Sequence, residues 1–326
     1  MTRRSRVALV LAAVVLYFWG RRPSRRVAAP RGPRRPRVSY GCCPRIVLVQ
    51  CSDGTGGTND ALLDLTQVAN EAYARRYGHA YLRYKGVIRG NRTWMAVYNR
   101  FALWSALRDT PGYQWMFFLD ADALIVDHGS AWVEDLATRY ADRALLFCSD
   151  RRDRDVDFHL NFGVFFVQLH HKIADEILAD CLDQLDKSGI DQNVLAEWSS
   201  GRRGKIVNDQ VMMRRALERR ANRRGRVKGV KTFAHDDYDR FNYGGPFVHH
   251  FTREATAIRA NHTRWEAVRA ATLHVLNRTT LPRPPDQRAK CYLSGVGAED
   301  IRPQLFRALP CGDEDTIIEA IGYIQS

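Results

Sequence analysis

Several features that would define a structural class are missing from this chain of 326 residues. It has no glycine period and no sustained heptad pattern, which excludes a collagen-like fibre and a coiled coil. It also has no internal repeat of about 20–50 residues, so a solenoid or a propeller is excluded. Because 45% of the residues are hydrophobic, the composition is that of a folded protein and not of a disordered chain.

Acidic residues are absent from positions 1–45, which hold twelve arginines. The whole chain has 50 Lys+Arg against 36 Asp+Glu, and its formal net charge of +14 would by itself suggest nucleic-acid binding. Residues 46–326, however, have 38 basic and 36 acidic residues, a net charge of only +2. We therefore expect no nucleic-acid partner for this main part, which is long enough for one large domain or two small ones.

A single apolar run, from Val7 to Trp19, lies near the N terminus between arginines. Its thirteen residues would span roughly 20 Å as a helix, less than a hydrocarbon core of about 30 Å. Arginines that reach toward the headgroups make a short anchor tolerable. We expect a cytoplasmic tail at 1–6, a signal anchor at 7–20 and a Pro/Arg-rich stem at 21–45; a cleaved signal peptide, an organelle transit peptide and a polybasic arm remain alternatives.

Two further features bear on the compartment. Three sequons, at Asn91, Asn261 and Asn277, are potential glycosylation sites. Cys51 and Cys148 end apolar runs and are expected to be buried as small hydrophobic residues. Together with the apolar N-terminal run, these features favour a single-pass type II membrane protein of the Golgi with its main domain in the lumen.

Strand-like and helix-like patterns alternate after residue 45. A glycine loop at 54–57 follows the first strand, and it is either a flexible turn or a ligand contact, since it matches neither phosphate-binding glycine motif. The predicted elements are a strand at 46–51, a helix capped by Thr58 or Asn59 and ending at Gly78, a strand at 80–84, a helix at about 93–108 and a buried strand at 115–119. This order predicts an α/β fold with a mostly parallel central sheet and helices on both faces.

Two acids, Asp120 and Asp122, directly follow the buried strand and are flanked by apolar residues. In an apolar setting both can stay ionised only if a cation or several donors compensate them. Carboxylate oxygens suit Mg²⁺ or Mn²⁺, which also bind substrate phosphates. The alternative is a strand-to-turn junction with both acids facing water. Haloacid-dehalogenase-like phosphatases usually carry such a pair on their first strand, whereas here it comes some 70 residues later, as in nucleotide-sugar transferases with the GT-A fold.

Four segments of residues 46–253 make the chain resemble glycosyltransferase family 34, which includes fungal α-galactosyl- and mannosyltransferases and plant xyloglucan xylosyltransferases. The segments are Trp115 to Ile125 with the pattern Trp-x-x-x-Leu-Asp-x-Asp-Ala-Leu-Ile, Asn161 to Phe166, Asn208 to Gln210, and Gly245 to Phe251. The resemblance implies a GT-A enzyme that moves a hexose or pentose from a UDP- or GDP-linked donor to a glycan acceptor with retention of configuration.

The resemblance also implies roles for individual residues. Asp120, Asp122 and His250 would hold Mn²⁺ (or Mg²⁺), and strand alternation would send the neighbouring His249 to the opposite face. Asp209 and Gln210 would lie beside the anomeric carbon as catalytic residues that orient the reactants. The donor-binding residues would be Arg100, Asp120, Ala121, Asp122, Asn161, Gly163 and Arg253.

One departure from the family concerns the cation after the histidine. The family commonly carries a Lys that assists the leaving diphosphate, whereas the nearest cation here, Arg253, lies one position out of register. Residues 254–326 are expected to form a helical and loop extension packed on the catalytic domain. The alternatives to a family 34 enzyme are a transferase of another GT-A family, a metal-dependent phosphohydrolase, and a non-catalytic membrane-tethered glycan-binding module.

Overall fold

The computed structural model describes residues 46–90, 92–110, 112–149, 160–188, 208–234, 237, 239–242, 245–252, 263–278 and, for the backbone only, 290–294. These residues belong to one unit, Tyr40–Ser326, and a separate unit, Met1–Ser39, lies outside the described ranges. The tail, anchor and stem expected at 1–45 also lie outside them, as do Asn91, Arg253 and Asn261. Within the described ranges, no helix has the length and apolar character needed to cross a membrane.

A seven-stranded sheet and a two-stranded ribbon form the β-structure of the described residues. The strands are β1 (Ile46–Ser52), β2 (Ala80–Lys85), β3 (Trp115–Asp120), β4 (Ala123–Ile125), β5 (Leu145–Ser149), β6 (Leu160–Gln168), β7 (Val230–Phe233), β8 (Val248–His250) and β9 (Lys290–Ser294). The large sheet has the order β7-β5-β6-β3-β1-β2-β9, and β4 pairs with β8 in the ribbon. Only the two pairings of β6 in the large sheet are antiparallel, so the expected mostly parallel sheet is confirmed.

The described part of the chain has six α-helices: α1 (Thr58–Tyr77), α2 (Asn99–Arg108), α3 (Trp132–Arg139), α4 (Lys172–Lys187), α5 (Asp209–Glu218) and α6 (Arg264–Arg278). Alternate residues of β1 belong to two different cores, as the period of a strand requires. Val47 and Val49 share a core with α2, α4 and α5. Ile46 and Leu48 share the other with α1 and α3. Helices therefore lie on both faces, which confirms the α/β class expected from the sequence.

The start of α1 differs from the sequence prediction. Its N-cap is Gly57, which has no capping side chain, so the cap predicted at Thr58 or Asn59 is wrong. Asp60, inside the first turn, instead accepts hydrogen bonds from the backbone N–H groups of Gly54 at 3.1 Å and Gly56 at 2.6 Å. A hydrogen bond from the Ser52 hydroxyl, together with these two bonds, outweighs the effect of burial and lowers the pKa of Asp60. The glycine loop is therefore closed by a carboxylate from the helix that follows it.

Other predicted boundaries agree more closely with the structure. The end of α1 at Gly78 is confirmed, because this residue has a positive φ of 72° that favours glycine. The second predicted helix begins as a 3₁₀ turn, Thr93–Tyr98, and continues as α2. Cys51 and Cys148 are buried and free, as expected.

Two segments after residue 253 contact the rest of the fold. Val275 of α6 shares a small apolar cluster with Ala69 of α1 and Leu124 of β4. The β9 backbone pairs in parallel with β2 at the edge of the large sheet. The division into a domain at 46–253 and an extension at 254–326 remains a prediction.

Candidate metal centre

The two aspartates lie at the carboxyl end of β3, beside the short ribbon of β4 and β8. Asp120 is the last residue of β3, and Asp122 precedes β4. The antiparallel pairing of the ribbon places Ala123 opposite His250. A backbone hydrogen bond of 3.1 Å from the N–H of Phe251 to the carbonyl of Asp122 continues this pairing. The ribbon therefore brings His250 to the aspartates from more than a hundred residues away in sequence.

Asp120, Asp122 and His250 form a compact cluster. Each offers one ligand atom, and these three atoms all lie within 4.8 Å of one another. The Nε2 atom of His250 lies 3.3 Å from Oδ1 of Asp122 and 3.6 Å from Oδ2 of Asp120. Asp122 and His250 are buried, whereas Asp120 is partly exposed. Two carboxylate oxygens and an imidazole nitrogen that converge on one point are a suitable donor set for Mn²⁺.

The remaining oxygen of each carboxylate contacts an arginine. Oδ1 of Asp120 lies 2.9 Å from the guanidinium of Arg100. Oδ2 of Asp122 accepts a hydrogen bond from the guanidinium of Arg264. Each aspartate thus uses one oxygen to contact an arginine and presents the other toward His250. This division leaves the inward oxygens available to a cation.

Burial and charge act in opposite directions on the three groups. Burial raises the pKa of Asp120, although Arg100 and His250 favour its ionised form. Burial also opposes the charge on Asp122, but His250 and Arg264 outweigh it and lower the pKa of this carboxyl group. Burial disfavours a charged His250, yet the two aspartates outweigh this effect and raise its pKa. A divalent cation would compensate the same two carboxylates more strongly than an imidazolium does.

Gly163 of β6 lies against the cluster and leaves no room for a side chain. A Cβ atom at this position would overlap the carboxylate of Asp120 and the ring of His250. The neighbouring Asn161 accepts hydrogen bonds from the backbone N–H of Gly163 at 2.8 Å and from the side chain of Asn242 at 3.1 Å. The structure therefore places two of the predicted donor-binding residues, Asn161 and Gly163, beside the predicted metal ligands.

Arg100 connects the cluster to the start of α5. Its guanidinium is buried and lies 3.0 Å from Oδ2 of Asp209 as well as 2.9 Å from Asp120. Its Nε donates to the carbonyl of Val97 at 3.0 Å, and a terminal nitrogen donates to the carbonyl of Phe162. The Phe118 and Phe162 rings lie 4.9 and 5.1 Å from its guanidinium carbon. Arg100 thus holds two carboxylates in place from within the protein interior.

The predicted catalytic pair opens α5. Asn208 caps this helix by accepting a hydrogen bond of 2.8 Å from the N–H of Val211. Asp209 is buried, and burial raises its pKa even though Arg100 favours its ionised form. Gln210 follows as a partly buried residue. Ala121 lies between the two aspartates of the cluster and is buried.

A buried polar network, which was not predicted from the sequence, supports the turn that carries the aspartates. Gln50 of β1 donates to the carbonyl of Asp120 at 3.1 Å, and Thr66 of α1 donates to that of Ala121 at 2.9 Å. The side-chain amide of Asn70 donates to the carbonyl of Ala123 at 2.9 Å, and its oxygen accepts from the N–H of Ile125 at 2.8 Å. In the sequence these polar residues resemble ordinary positions of a strand and an amphipathic helix.

Arg264 was also missed in the sequence, where Arg253 was the nearest candidate cation. A recognisable signal preceded it, because Thr263 and Glu266 have the spacing of a capping box that marks the start of a helix. No sequence pattern shows, however, that this helix begins beside Asp122. The contact depends on how α6 packs on α1.

Comparisons with known proteins found similarity in structure only. No protein-family model matches the chain, and no curated protein matches it significantly. A glycosyltransferase involved in glycosylation of the major capsid of PBCV-1 is similar over 71% of this chain and all of its own, with 15% identity and a TM-score of 0.43. The catalytic domain of Drosophila β1,4-galactosyltransferase 7, in complex with xylobiose, is similar over 69% of this chain and 79% of its own, with 12% identity and a TM-score of 0.32.

A third similar structure contains a metal ion. The mannosyltransferase PcManGT from Pyrobaculum calidifontis, in complex with GDP-Man and Mn²⁺, is similar over 97% of this chain and 89% of its own, with 13% identity and a TM-score of 0.29. All three TM-scores lie below 0.5. Conclusions about function therefore rest on the residues of the site.

Proposed function

We propose that this protein is a metal-dependent, retaining glycosyltransferase of the GT-A class, related to family 34. It would transfer a hexose or pentose from a UDP- or GDP-linked sugar to a glycan acceptor. The observation that carries the proposal is the convergence of Asp120, Asp122 and His250 to within 4.8 Å at the carboxyl end of β3. Ligands bind at this edge of α/β sheets.

The cation that these three residues would hold supplies charge compensation for the diphosphate of the donor. The protein's own residues prepare the site for it. Gly163 lets the β6 backbone approach the cluster without steric overlap. The network of Gln50, Thr66 and Asn70 holds the turn between the aspartates by its carbonyl groups.

The surroundings of Asp209 support retention without a covalent intermediate. Its carboxylate is buried and lies 3.0 Å from the guanidinium of Arg100, which would hinder attack on a sugar carbon. In the proposed reaction Asp209 and the adjacent Gln210 orient the donor and the acceptor. The acceptor hydroxyl attacks from the face that the diphosphate leaves.

We further propose that the enzyme is held at the Golgi membrane by residues 7–20, with its catalytic domain in the lumen. The apolar run between Val7 and Trp19, the basic stem that follows it and the three sequons support this location. The test expresses the full chain in cells, isolates intact Golgi vesicles and treats them with a protease, without and with detergent. Digestion of the domain without detergent would exclude a luminal location.

The function itself is tested by incubating the purified chain with a panel of UDP- and GDP-sugars and measuring release of the nucleoside diphosphate. Release is expected with Mn²⁺ and not with EDTA, and Asp122→Asn should abolish it. Asp127→Asn is the matched control. This aspartate follows β4, and among the described residues its carboxylate accepts hydrogen bonds only from Gly129 and Ser130 of its own turn. No release from any donor would contradict the proposal, and phosphate release from simple phosphate esters would favour a phosphohydrolase instead.

A further inference from the structure

Arg264 is fixed at the start of α6 by a capping box. The carboxylate of Glu266 accepts a hydrogen bond from the N–H of Thr263 at 2.9 Å, and the N–H of Glu266 donates to the hydroxyl of Thr263 at 3.3 Å. The reciprocal bonds determine where the helix begins. Arg264, its first residue, therefore has a defined position and does not lie on a loosely held end.

The other contacts of Arg264 direct its side chain to the metal cluster. Its Nε donates to the carbonyl of Phe251 at 2.7 Å, one residue after His250. Its terminal nitrogen contacts Oδ2 of Asp122. At the far end of the helix, Val275 packs with Ala69 and Leu124. The helix is thus held at both ends, with its first residue beside a predicted metal ligand.

Two arginines contact the aspartates in the described part of the chain, and they differ in accessibility. The Arg100 side chain is 8% exposed and binds Asp120, Asp209 and two backbone carbonyls between two aromatic rings. The Arg264 side chain is 20% exposed and contacts one carboxylate oxygen and one backbone carbonyl, that of Phe251. A substrate that reaches the cluster can therefore contact Arg264, whereas Arg100 is committed to the protein.

We infer that Arg264 binds the donor's diphosphate and stabilises it as the leaving group, an inference that rests on the proposed function. A donor diphosphate that reaches this cluster would come within reach of the Arg264 guanidinium, which lies against Oδ2 of Asp122. Arginine binds phosphate oxygens through charge-assisted hydrogen bonds, which strengthen as negative charge develops on them. Arg264 thus has the role beside the leaving group for which Arg253 was the candidate in the sequence.

The transfer breaks one bond at the anomeric carbon and forms another. The bond between the anomeric carbon and the diphosphate oxygen breaks, and its electron pair stays on the diphosphate. The acceptor oxygen forms the new bond to the anomeric carbon, and the acceptor proton passes to the departing diphosphate. Arg264 stabilises the charge on the diphosphate and takes no part in bond making.

The test compares Arg264→Gln and Arg264→Lys with the wild-type full-length chain in detergent. Arg269→Gln is the matched control, since Arg269 is an exposed arginine of the same helix and lies over the ring of Trp265. Calorimetry measures binding of UDP, GDP, UMP and GMP in Mn²⁺, and electron paramagnetic resonance measures the binding of Mn²⁺ alone.

Arg264→Gln is expected to weaken binding of the preferred diphosphate about tenfold or more, with a loss of less than about threefold for the matching monophosphate. Arg264→Lys should recover part of the diphosphate affinity, and Arg269→Gln should bind as the wild type does. Mn²⁺ affinity should not fall in any of the three variants.

Unchanged diphosphate affinity in Arg264→Gln would overturn the inference. Equal losses for Mn²⁺, the monophosphate and the diphosphate would also overturn it, because they would show that Arg264 only supports the site. If the wild-type chain binds neither UDP nor GDP, the proposed function fails and the inference fails with it. If the wild type binds one of them and the variant binds it equally well, the inference alone fails.

Discussion

Arg100 and Asp209 form a buried ion pair between α2 and the first residue of α5, with Nη1 of the arginine 3.0 Å from Oδ2 of the aspartate. The same guanidinium lies 2.9 Å from Asp120. A single side chain therefore sets the distance between the metal cluster and the residues proposed to orient the sugar. Both aspartates share this arginine for charge compensation, and Asp120 has His250 beside it as well.

Replacing this arginine should destabilise the protein strongly. Arg100→Met leaves Asp120 and Asp209 without their shared cation, and removing one partner of a buried ion pair costs about 3–5 kcal/mol in the free energy of unfolding. Urea denaturation measures the change. Arg108→Met, at the partly exposed end of the same helix, should cost less than about 1 kcal/mol. Equal stability of the two variants would show that the buried pair has no such role.

Adding a methyl group at Gly163 should disrupt the metal cluster while leaving the fold intact. In Gly163→Ala the new Cβ overlaps Asp120 and His250, so these side chains must move apart, and Mn²⁺ affinity should fall about tenfold or more. Gly57→Ala is the control, because its φ of −86° is accessible to alanine and only a threonine side chain lies nearby. Equal Mn²⁺ binding by both variants would show that the cluster does not need a glycine at 163.

The Asn70 side chain should contribute to both stability and metal binding. Asn70→Ala removes hydrogen bonds to Gln50, to the carbonyl of Ala123 and from the N–H of Ile125. Gln50 keeps its bond from the Tyr81 hydroxyl and its own bond to the Ala123 carbonyl, whereas the N–H of Ile125 loses its partner. A lost hydrogen bond costs about 1 kcal/mol and a buried unpaired group about 1–3 kcal/mol, so we expect a loss of about 2 kcal/mol or more in the free energy of unfolding. Mn²⁺ affinity should fall as the turn loosens. Val68→Ala, at an exposed position of α1, is the control; a similar loss there would argue against the network.

Lowering the pH from 7 to 5 should destabilise the protein through His79. Burial lowers the pKa of this residue to about 4, from 6.5 in the unfolded chain. Between these values the unfolded state binds more protons, so stability present above pH 6.5 is lost as the pH falls toward 4, by about 2 kcal/mol at pH 5.

Substituting His79 should make the unfolding free energy less dependent on pH. In urea titrations at pH 7 and pH 5, His79→Gln should lose less stability between the two pH values than the wild type does. His274→Gln, at an exposed position of α6, is the control. An identical pH dependence in His79→Gln and the wild type would contradict the assignment of this loss to His79.

The sequence predicted the parts of the fold that local patterns determine. The continuous apolar run before Asp120 indicated a strand buried on both faces, and the structure has β3 there, ending at that aspartate. Gly78 indicated the end of α1, because the left-handed backbone conformation that often ends a helix favours glycine. The start of α1 was placed wrongly, because the acceptor that closes the preceding loop is Asp60, a helix residue that also fits an ordinary first turn.

The site was less accessible to prediction, because its supporting contacts join residues far apart in sequence. The aspartate pair was visible from its apolar flanks, and His250 was suggested by a family resemblance. Gln50 and Asn70 support the turn from β1 and α1, and neither differs in the sequence from a common polar residue. Arg264 reaches Asp122 across 142 residues, and only the packing of α6 on α1 brings them together.

The most direct test of the account is a titration of the purified chain with Mn²⁺, followed by electron paramagnetic resonance, for the wild type, Asp122→Asn and Asp127→Asn. One Mn²⁺ should bind to the wild type and to Asp127→Asn, whereas Asp122→Asn should bind it at least about tenfold more weakly. UDP or GDP should tighten binding only where Asp122 is present. Equal Mn²⁺ binding by all three proteins, or no binding by the wild type with either nucleotide, would contradict the account.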